Sequence, residues 1–322
     1  MSKWKIAAIL FAVVAVALSL LNASWLAPTP TGKLVMVAHR GVAQQFDRTG
    51  LDRDDCTATR IAVPDHNYLE NTVRSMQRAR SLGADIIELD VHPTTDGHMV
   101  VFHDWTLDCR TNGKGVTREH SLAELKALDI GHGYTADGGK TFPLRGRGVG
   151  AMPTVAEVLR ALPRQKLLFN FKSRDAGDAD ALAAAFARAG VPIGDTFSFY
   201  GNERVLARMR QLAPESWMFA TSEVKACMID YLKWGWIGHV PETCRGGTAM
   251  VPLNYQWAVW GWPNRFLARM EAAGTRVILL GDIENDRSPI GLKRPEQLGE
   301  VPRDYRGYLW VEDIHAIGRA MQ

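Results

Sequence analysis

The sequence predicts an irregular (β/α)8 TIM barrel with an extra β-hairpin and an apolar anchor helix at its N-terminus. Two observations predict this fold: short apolar runs typical of strands alternate with helical patterns, and the units number close to eight. A doubly wound open sheet is the alternative, although no Gly-x-Gly-x-x-Gly motif follows the first strand. Such barrels often form one domain of about 200–250 residues, so the length of the chain does not require a second domain.

The first 27 residues differ in composition from the rest of the chain. Lys3 and Lys5 precede an uncharged apolar run over 6–21, a pattern typical of a secretory signal or a signal anchor. Because no clear Ala-x-Ala site follows, we predict an uncleaved anchor, with a removed signal peptide and a buried core helix as alternatives. Since basic residues favour the cytoplasmic side, the rest of the chain is predicted to be exported, membrane-anchored or, after cleavage, secreted.

Three parts are therefore expected along the chain. Residues 1–27 form the signal anchor or signal peptide, 28–33 form a linker, and 34–322 form one barrel domain. Within this domain the segment 42–69 carries many charges and no convincing periodicity. Because connections of this length in compact domains are usually functional, we expect an inserted loop there.

Nine runs have the composition of strands, one more than an eight-stranded barrel needs. The surplus run is 99–102, because the Asp96-Gly97 turn before it favours a hairpin over a helical crossover. The predicted strands are Leu34–Ala38, Asp85–Val91, Met99–Phe102, Lys166–Phe169, Thr196–Phe199, Trp217–Ala220, Ala249–Leu253, Val277–Leu280 and Tyr308–Val311. The clearest predicted helices are Asn71–Leu82, Ser121–Leu128, Thr154–Leu162, Asp178–Ala189, Glu203–Leu212 and Pro263–Ala273.

Charge and cysteine content narrow the classes of function. The formal net charge is only +3 and the basic residues are dispersed, so we expect no nucleic-acid partner. An exported domain would oxidise its cysteines, and their spacing fits no zinc pattern. Two disulfides are therefore expected, and the sequence alone allows three pairings of Cys56, Cys109, Cys227 and Cys244.

Polar residues follow several predicted strands at their carboxyl ends, where barrels carry their active sites. His39 and Arg40 follow the first strand, although a single strand-end histidine is often structural. Glu88 and Asp90 point to the same face of the second strand because strand side chains alternate. Two adjacent carboxylates repel unless a cation or a proton lies between them, so this pair indicates Mg²⁺ or Ca²⁺. A solvated edge pair is the alternative, but apolar neighbours indicate a buried strand.

Several motifs in this order closely resemble the glycerophosphodiester phosphodiesterase family, over roughly residues 34–172. They are Val37-Ala38-His39-Arg40-Gly41, Glu70-Asn71-Thr72, Gly83-Ala84-Asp85 with Glu88-Leu89-Asp90-Val91, Asp96-Gly97 with Val100-Val101-Phe102-His103-Asp104, and Met152-Pro153-Thr154. That family has a TIM-barrel fold, which agrees with the count of strands made independently. The resemblance implies a phosphoric diester hydrolase that converts glycerophosphodiesters to an alcohol and glycerol 3-phosphate.

The resemblance also implies roles for the matching positions. His39 and His103 would be the general acid and base, a task for which histidine is suited because it titrates near neutrality. Arg40 and Lys172 would neutralise the phosphate oxygens of the substrate. Glu70 would support the site or contact the substrate, with a favourable acid at a helix N-terminus as the alternative.

The cation site departs from the family pattern at one ligand. Glu88 and Asp90 match two of the family's metal ligands, whereas Asn170 stands where the family has a third carboxylate. An amide offers one neutral oxygen, so we expect weaker binding of the divalent cation. Asn170 also motivates the alternative of a barrel that binds phosphodiesters without catalysis.

Two further departures concern the loops. The segment 42–69 is longer than the family's compact loop, and the resemblance places Cys56 and Cys109 above the barrel mouth, which favours the pairs Cys56–Cys109 and Cys227–Cys244. Near the C-terminus, Leu279-Leu280-Gly281-Asp282 and Trp310-Val311-Glu312-Asp313 replace the family's usual motifs, so the alcohol group of the substrate is left open.

Tryptophans cluster in the late part of the sequence, at positions 234, 236, 257, 260 and 262. They could contact a lipid headgroup or the membrane interface, with ordinary packing as the alternative. Together with the predicted anchor, they motivate a second enzymatic hypothesis, a lysophospholipase D-like or phosphoinositide-type lipid phosphodiesterase.

Overall fold

The protein is described here by a computed structural model that covers residues 2–51, 55–283 and 290–322. Its centre is a nearly closed barrel of eight parallel strands, with one additional strand in a hairpin. The strands are β1 Val35–Ala38, β2 Ile86–Pro93, β3 Met99–Val101, β4 Lys166–Phe171, β5 Phe197–Gly201, β6 Met218–Ala220, β7 Thr248–Pro252, β8 Arg276–Leu280 and β9 Tyr308–Val311. All nine predicted strands are therefore confirmed.

The order of the strands around the barrel is β6-β5-β4-β2-β1-β9-β8-β7. β3 lies outside this path and pairs antiparallel with β2, which confirms the predicted hairpin. Between β6 and β7, the two ends of the path, the indole Nε1 of Trp217 donates a hydrogen bond to Thr248 Oγ1 at 2.9 Å. The barrel thus brings the first strand beside the last one, so residues that follow β1 and β9 meet at one edge.

One helix precedes the barrel, and the later helices surround it. In chain order the helices are α1 Lys3–Leu21, α2 Val73–Ser81, α3 Leu122–Lys126, α4 Val155–Ala161, α5 Gly177–Ala189, α6 Glu203–Leu212, α7 Thr221–Trp234, α8 Asn264–Ala272 and α9 Ile314–Ala320. The six predicted barrel helices are confirmed, whereas α7 and α9 were not predicted. α7 follows β6 without an intervening turn, and α9 contains Gly318, whose missing side chain lets the helix approach the carbonyl oxygen of Leu82. α7 therefore has no gap that separates it from the strand, and Gly318 interrupts the helical pattern of α9, although Asp313 caps the start of that helix.

α1 is the apolar N-terminal helix predicted from the sequence. None of its residues is buried, and by length and composition it could cross a membrane. A helix of this length and hydrophobicity near an N-terminus is equally typical of a signal sequence, so the fate of this segment stays a prediction.

The described residues of the inserted segment, 42–51 and 55–69, pack on the barrel instead of forming an extended loop. They contain a short helical turn, Thr57–Arg60, and Phe46 forms an isolated antiparallel bridge with Ile61. Ala58, Ile61 and Leu69 join a small hydrophobic core with side chains that follow β3, separate from the main core. The insert is therefore a structured cover beside the barrel mouth.

Two disulfides fix the loops, as predicted. Cys56 in the insert is bonded to Cys109, which follows β3, and Cys227 in α7 is bonded to Cys244. The first bond joins the insert to the segment that carries His103, so it fixes one side of the barrel mouth.

Removal of either disulfide should destabilise the protein, and the longer closed loop should matter more. The separations are 53 residues for Cys56–Cys109 and 17 for Cys227–Cys244. Loop-closure entropy predicts losses of about 4 and about 3 kcal/mol in the free energy of unfolding. Urea unfolding of the paired variants Cys56→Ala/Cys109→Ala and Cys227→Ala/Cys244→Ala measures both. Midpoints equal to that of the parent protein would contradict the assigned pairs.

Candidate active site

A cavity of about 1010 Å³ opens where the strands end, and it is lined by His39, Arg40, His103 and Asp104. The structure therefore brings the two sequence-predicted histidines and Arg40 to one cavity wall. The remaining predicted site residues are connected to these three through hydrogen bonds and ion pairs.

Glu88 and Asp90 form the buried base of the site. Both are fully inaccessible to solvent, and they lie two positions apart on β2, so they share one face of the strand. Burial, together with the charge of Asp90, raises the pKa of Glu88 to about 7. Burial also opposes ionisation of Asp90, but the positive charges of Lys172 and Arg40 outweigh it and hold its pKa well below the ordinary value.

Two side-chain amides donate hydrogen bonds to Asp90. Asn71 Nδ2 lies 2.9 Å from Oδ2, and Asn170 Nδ2 lies 2.8 Å from Oδ1. Asn170 is directly opposite Asp90 in the pairing of β2 with β4, which explains why the position predicted to bind the cation adjoins the carboxylate pair. The amide of Asn170 presents its nitrogen to Asp90, and rotation of the amide would present its oxygen instead.

Cationic groups also contact Asp90. Arg40 Nε lies 3.3 Å from Oδ2, and Lys172 Nζ lies 3.4 Å from Oδ1. The two residues predicted to neutralise phosphate therefore lie against the carboxylate base and compensate its charge.

Glu88 is held by different donors. The backbone N–H of Arg40 donates to Oε2 at 3.0 Å, and the hydroxyl of Tyr200 donates to Oε1 at 2.7 Å. Arg40 adopts a φ of 60°, a left-handed conformation that is uncommon for residues with a side chain. This turn of the backbone after β1 directs the N–H of Arg40 at the buried carboxylate.

His39 is oriented by Glu312, a residue to which the sequence analysis gave no role. His39 Nδ1 lies 2.8 Å from Glu312 Oε2. Burial lowers the pKa of His39, but the negative charges of Glu312 and Glu88 outweigh it, so the net direction is upward. Conversely, burial raises the pKa of Glu312, but His39 and Arg40 bring it down to about 2.

The sequence did contain a signal for this role of Glu312, which is its position directly after β9. β9 is the neighbour of β1 in the barrel, so an acid at its end meets the histidine at the end of β1.

His103 has a carboxylate partner of its own. Its Nδ1 lies 2.7 Å from Oδ1 of the adjacent Asp104. Burial, followed by the charges of Arg40 and Lys172, lowers the pKa of His103 to about 4. Each histidine in the cavity is therefore held at Nδ1 by an acid, while the two surroundings shift their pKa values in opposite directions.

Arg110 is a second site residue that the sequence analysis missed. Its side chain is only 3% exposed, and its guanidinium donates to Asp104 Oδ2 at 2.9 Å and to Glu70 Oε2 at 3.0 Å. It also donates to Thr57 Oγ1 of the insert at 2.7 Å. Cys109 directly precedes Arg110, and Cys56 directly precedes Thr57. The disulfide therefore joins the neighbours of both residues in this hydrogen bond.

Glu70 connects this group to the base of the site. Its Oε1 accepts a hydrogen bond from Arg40 Nη1 at 3.0 Å, while its Oε2 contacts Arg110. Burial would raise the pKa of Glu70, but the two guanidinium groups lower it. Glu70 thus forms a bridge between Arg40 and Arg110, and its role in the site stays a prediction.

The rest of the cavity wall comes from the insert and the late strands. The insert supplies Phe46, Arg48, Leu51, Asp55 and Thr57. The late strands and the segment after β8 supply apolar residues, which are Phe219, Met250, Leu280, Ile290 and Trp310. A pocket lined by both charged and apolar groups suits a substrate that has both kinds of group.

The donors around the base fit a hard divalent cation, although weakly. Glu88 and Asp90 have carboxylate oxygens, and Asn170 would supply an amide oxygen after rotation of its amide; these are the ligand types that Mg²⁺ and Ca²⁺ prefer. Across residues 2–51, 55–283 and 290–322, no group of three or more His, Cys, Asp or Glu side chains is arranged to hold a metal ion. The replacement of a third carboxylate by Asn170 is consistent with that result.

Part of the chain is similar to known proteins. Residues 39–190 match the model of the glycerophosphoryl diester phosphodiesterase family. A glycerophosphodiester phosphodiesterase of Caldanaerobacter subterraneus subsp. tengcongensis is 54% identical over 65 residues, which cover 20% of this chain and 27% of that protein. One of Bacillus subtilis is 34% identical over 130 residues, which cover 39% and 36% of the two chains. The chain thus spans about a third of the length of these curated relatives.

Solved structures share the fold over most of the chain. A glycerophosphodiester phosphodiesterase from Agrobacterium tumefaciens superposes with a TM-score of 0.58 at 20% identity, covering 89% of this chain and 99% of that one. An Oleispira antarctica phosphodiesterase in complex with the product sn-glycerol-3-phosphate gives 0.57 at 17% identity, with coverage of 93% and 99%. Residues 39–190 are thus similar to the glycerophosphoryl diester phosphodiesterase family, and the chain shares the barrel fold of these solved structures.

Proposed function

We propose that this protein hydrolyses glycerophosphodiesters to an alcohol and glycerol 3-phosphate, using His39, His103 and a divalent cation. One observation carries the proposal: two histidines, each bound at Nδ1 by a carboxylate, line one cavity beside a buried pair of acids. The names of the curated relatives and the product found in the Oleispira antarctica protein support the same chemistry.

The histidines can perform the two proton transfers that the reaction needs. A hydroxyl of the glycerol moiety attacks phosphorus and loses its proton to one imidazole, while the other imidazole protonates the leaving alkoxide. This attack forms a cyclic phosphate and releases the alcohol. Water then opens the cyclic phosphate to glycerol 3-phosphate, and in this second step the two imidazoles exchange the roles of acid and base. Glu312 and Asp104 each bind Nδ1 of one ring, so Nε2 is the nitrogen that would exchange protons with the substrate. Nε2 of His39 accepts a hydrogen bond from Arg40 Nε at 3.2 Å, so Arg40 would release it on turning towards the phosphate.

The charged residues balance the phosphate. Arg40 and Lys172 lie within 3.5 Å of the carboxylate base, close enough to shift towards an anion that enters the cavity. Glu88, Asp90 and Asn170 would hold Mg²⁺ or Ca²⁺, which when bound supplies positive charge to the glycerol hydroxyl and a phosphate oxygen. Glu70 and Arg110 would not contact the substrate themselves. Glu70 orients Arg40, and Arg110 orients Asp104.

The location that fits the chain is an exported domain held by its N-terminal helix. α1 has no buried residue and two lysines at its start, and both disulfides suit an oxidising compartment. Secretion after cleavage of the helix is the alternative location. The domain limits 28–33 and 34–322 belong to this same proposal.

The apolar cavity wall favours a second candidate, hydrolysis of a lipid-chained phosphodiester such as a lysophospholipid. Phe219, Met250 and Leu280 line the cavity and would pack against an acyl chain, which a small alcohol lacks. A third candidate, a barrel that binds phosphodiesters without turnover, draws on the neutral ligand at Asn170.

The proposal predicts metal-dependent release of glycerol 3-phosphate by the detergent-solubilised full chain. Mixed glycerophosphodiesters should be cleaved in Mg²⁺ or Ca²⁺, and EDTA should abolish the release. His39→Ala and His103→Ala should each lower kcat by a factor of about 100 or more, because a proton transfer loses its catalyst. Faster cleavage of lysophospholipids would favour the second candidate. No cleavage of any substrate by the folded, oxidised protein would contradict both enzymatic candidates.

Removal of the charge on Glu312 should impair turnover more than binding. Glu312→Gln keeps the size of the side chain but leaves the His39 imidazolium without its anion, so kcat should fall about 10–100-fold with little change in KM. Glu296→Gln, a matched change at an exposed acid outside the cavity wall, is the control. Equal activity of the two variants would show that Glu312 does not position His39.

A further inference from the structure

An exposed apolar surface lies outside the cavity, where α1 meets the barrel. We call it the aromatic collar. Trp257 is 83% exposed and Trp25 is 78% exposed, values that ordinary packing does not explain. The collar consists of Trp25, Leu26, Trp234, Trp236, Ile237, Trp257 and Trp260.

Of the five tryptophans noted in the sequence, only Trp262 is explained by ordinary packing. Its ring lies 5.7 Å from that of Phe266 and 6.0 Å from that of Tyr305, and it packs against the main core. The other four are each more than a third exposed. A surface of this composition matches the aromatic belts that proteins place at the membrane–water interface.

The end of α1 is hydrogen-bonded to the barrel. Arg269 in α8 donates to the carbonyl oxygen of Leu21 at 2.9 Å and to Asn22 Oδ1 at 3.0 Å. Asn22 Nδ2 donates to the carbonyl oxygen of Trp236 at 2.7 Å. A guanidinium at the carboxyl end of a helix also complements the helix dipole. The direction of α1 relative to the barrel is therefore fixed by polar contacts.

The two parts of the collar flank the point where α1 ends. On one side, Asn22 contacts Trp236; on the other, the N–H of Asn264 donates to Ser24 Oγ at 2.9 Å, just after the segment 257–262. These parts contact each other, since Trp260 Nε1 donates to the carbonyl oxygen of Leu232 at 3.0 Å. The helix thus leaves the domain within the collar.

The length of α1 determines where a bilayer would lie. At 1.5 Å per residue its 19 residues extend about 28 Å, close to the ~30 Å hydrocarbon core of a membrane. Trp4 and Trp25 stand at its two ends, 86% and 78% exposed, at the positions of interfacial aromatic residues. If α1 spans the membrane, Trp25 marks the outer interface, and the collar beside it lies at the same level.

We propose that the aromatic collar docks the barrel on the outer surface of the lipid bilayer that α1 spans. This inference rests on the proposed membrane anchor. The lipid surface, and no protein partner, is the occupant because the collar is continuous with the exit point of the apolar helix. The domain then rests on the membrane in one orientation.

Docking would also orient the cavity. Trp257 lies in the turn Leu253–Ala258, which directly follows β7, and Met250 of β7 lines the cavity. The carboxyl ends of the strands, where the cavity opens, are therefore at the same end of the barrel as this part of the collar. Phosphodiesters at or near the lipid surface would have a short path to the site.

The test uses the full chain reconstituted in phosphatidylcholine vesicles that contain phospholipid brominated on its acyl chains. The fluorescence of the parent minus that of Trp257→Phe isolates Trp257. Its emission should shift to shorter wavelength on reconstitution, and brominated lipid should quench most of it. Trp217→Phe provides the matched control, because Trp217 is buried beside Thr248 and its signal should be neither shifted nor quenched.

Extraction of the vesicles with alkaline carbonate separates failure of the collar from failure of the anchor. Retention of the chain together with a quenched Trp257 supports the proposal. Retention of the chain with an unquenched Trp257 contradicts docking by the collar but agrees with the proposed anchor. Release of the chain by carbonate overturns the anchor, and the collar with it. The phosphodiesterase proposal is unaffected by each of these outcomes, since no substrate is used.

Discussion

The burial of two adjacent carboxylates is the constraint on which the rest of the site depends. Glu88 and Asp90 lie on one face of β2 without solvent contact, and a buried charge is unfavourable unless it is paired and hydrogen-bonded. The surrounding residues respond to this requirement. Asp90 receives two amides and two cations, and Glu88 receives a backbone N–H and a tyrosine hydroxyl. A site that needs this much positive charge is suited to a divalent cation and to a phosphate.

The same compensation of charge extends outwards to the insert. Arg40 pairs with Glu70, Glu70 with Arg110, and Arg110 with the Asp104 that holds His103. Arg110 also contacts Thr57, so the disulfide-fixed insert belongs to the machinery that orients the histidine. The covering segment therefore contributes to the arrangement of the site as well as to the shape of the cavity.

The fold and half of the site were predictable from the sequence because they depend on local patterns. Apolar runs predicted the strands, the Asp96-Gly97 turn predicted the hairpin, and strand-end positions pointed to His39 and the carboxylate pair. The resemblance to a known family added His103. Glu312 and Arg110 depend on long-range contacts, since one requires β9 to close beside β1 and the other requires the insert to fold over the mouth. α7 was missed because no turn separates it from β6. The collar, likewise, exists only once α1 and the late segments come together.

The central claim is that Glu88, Asp90 and Asn170 hold a divalent cation, and calorimetric titration of the solubilised full chain with Mg²⁺ and Ca²⁺ tests it most directly. The account predicts saturable binding of one cation per chain, lost in Glu88→Gln, a variant that resembles the protonated acid in shape and so preserves the fold. The absence of binding by the parent protein, or equal binding by parent and variant, would contradict the account.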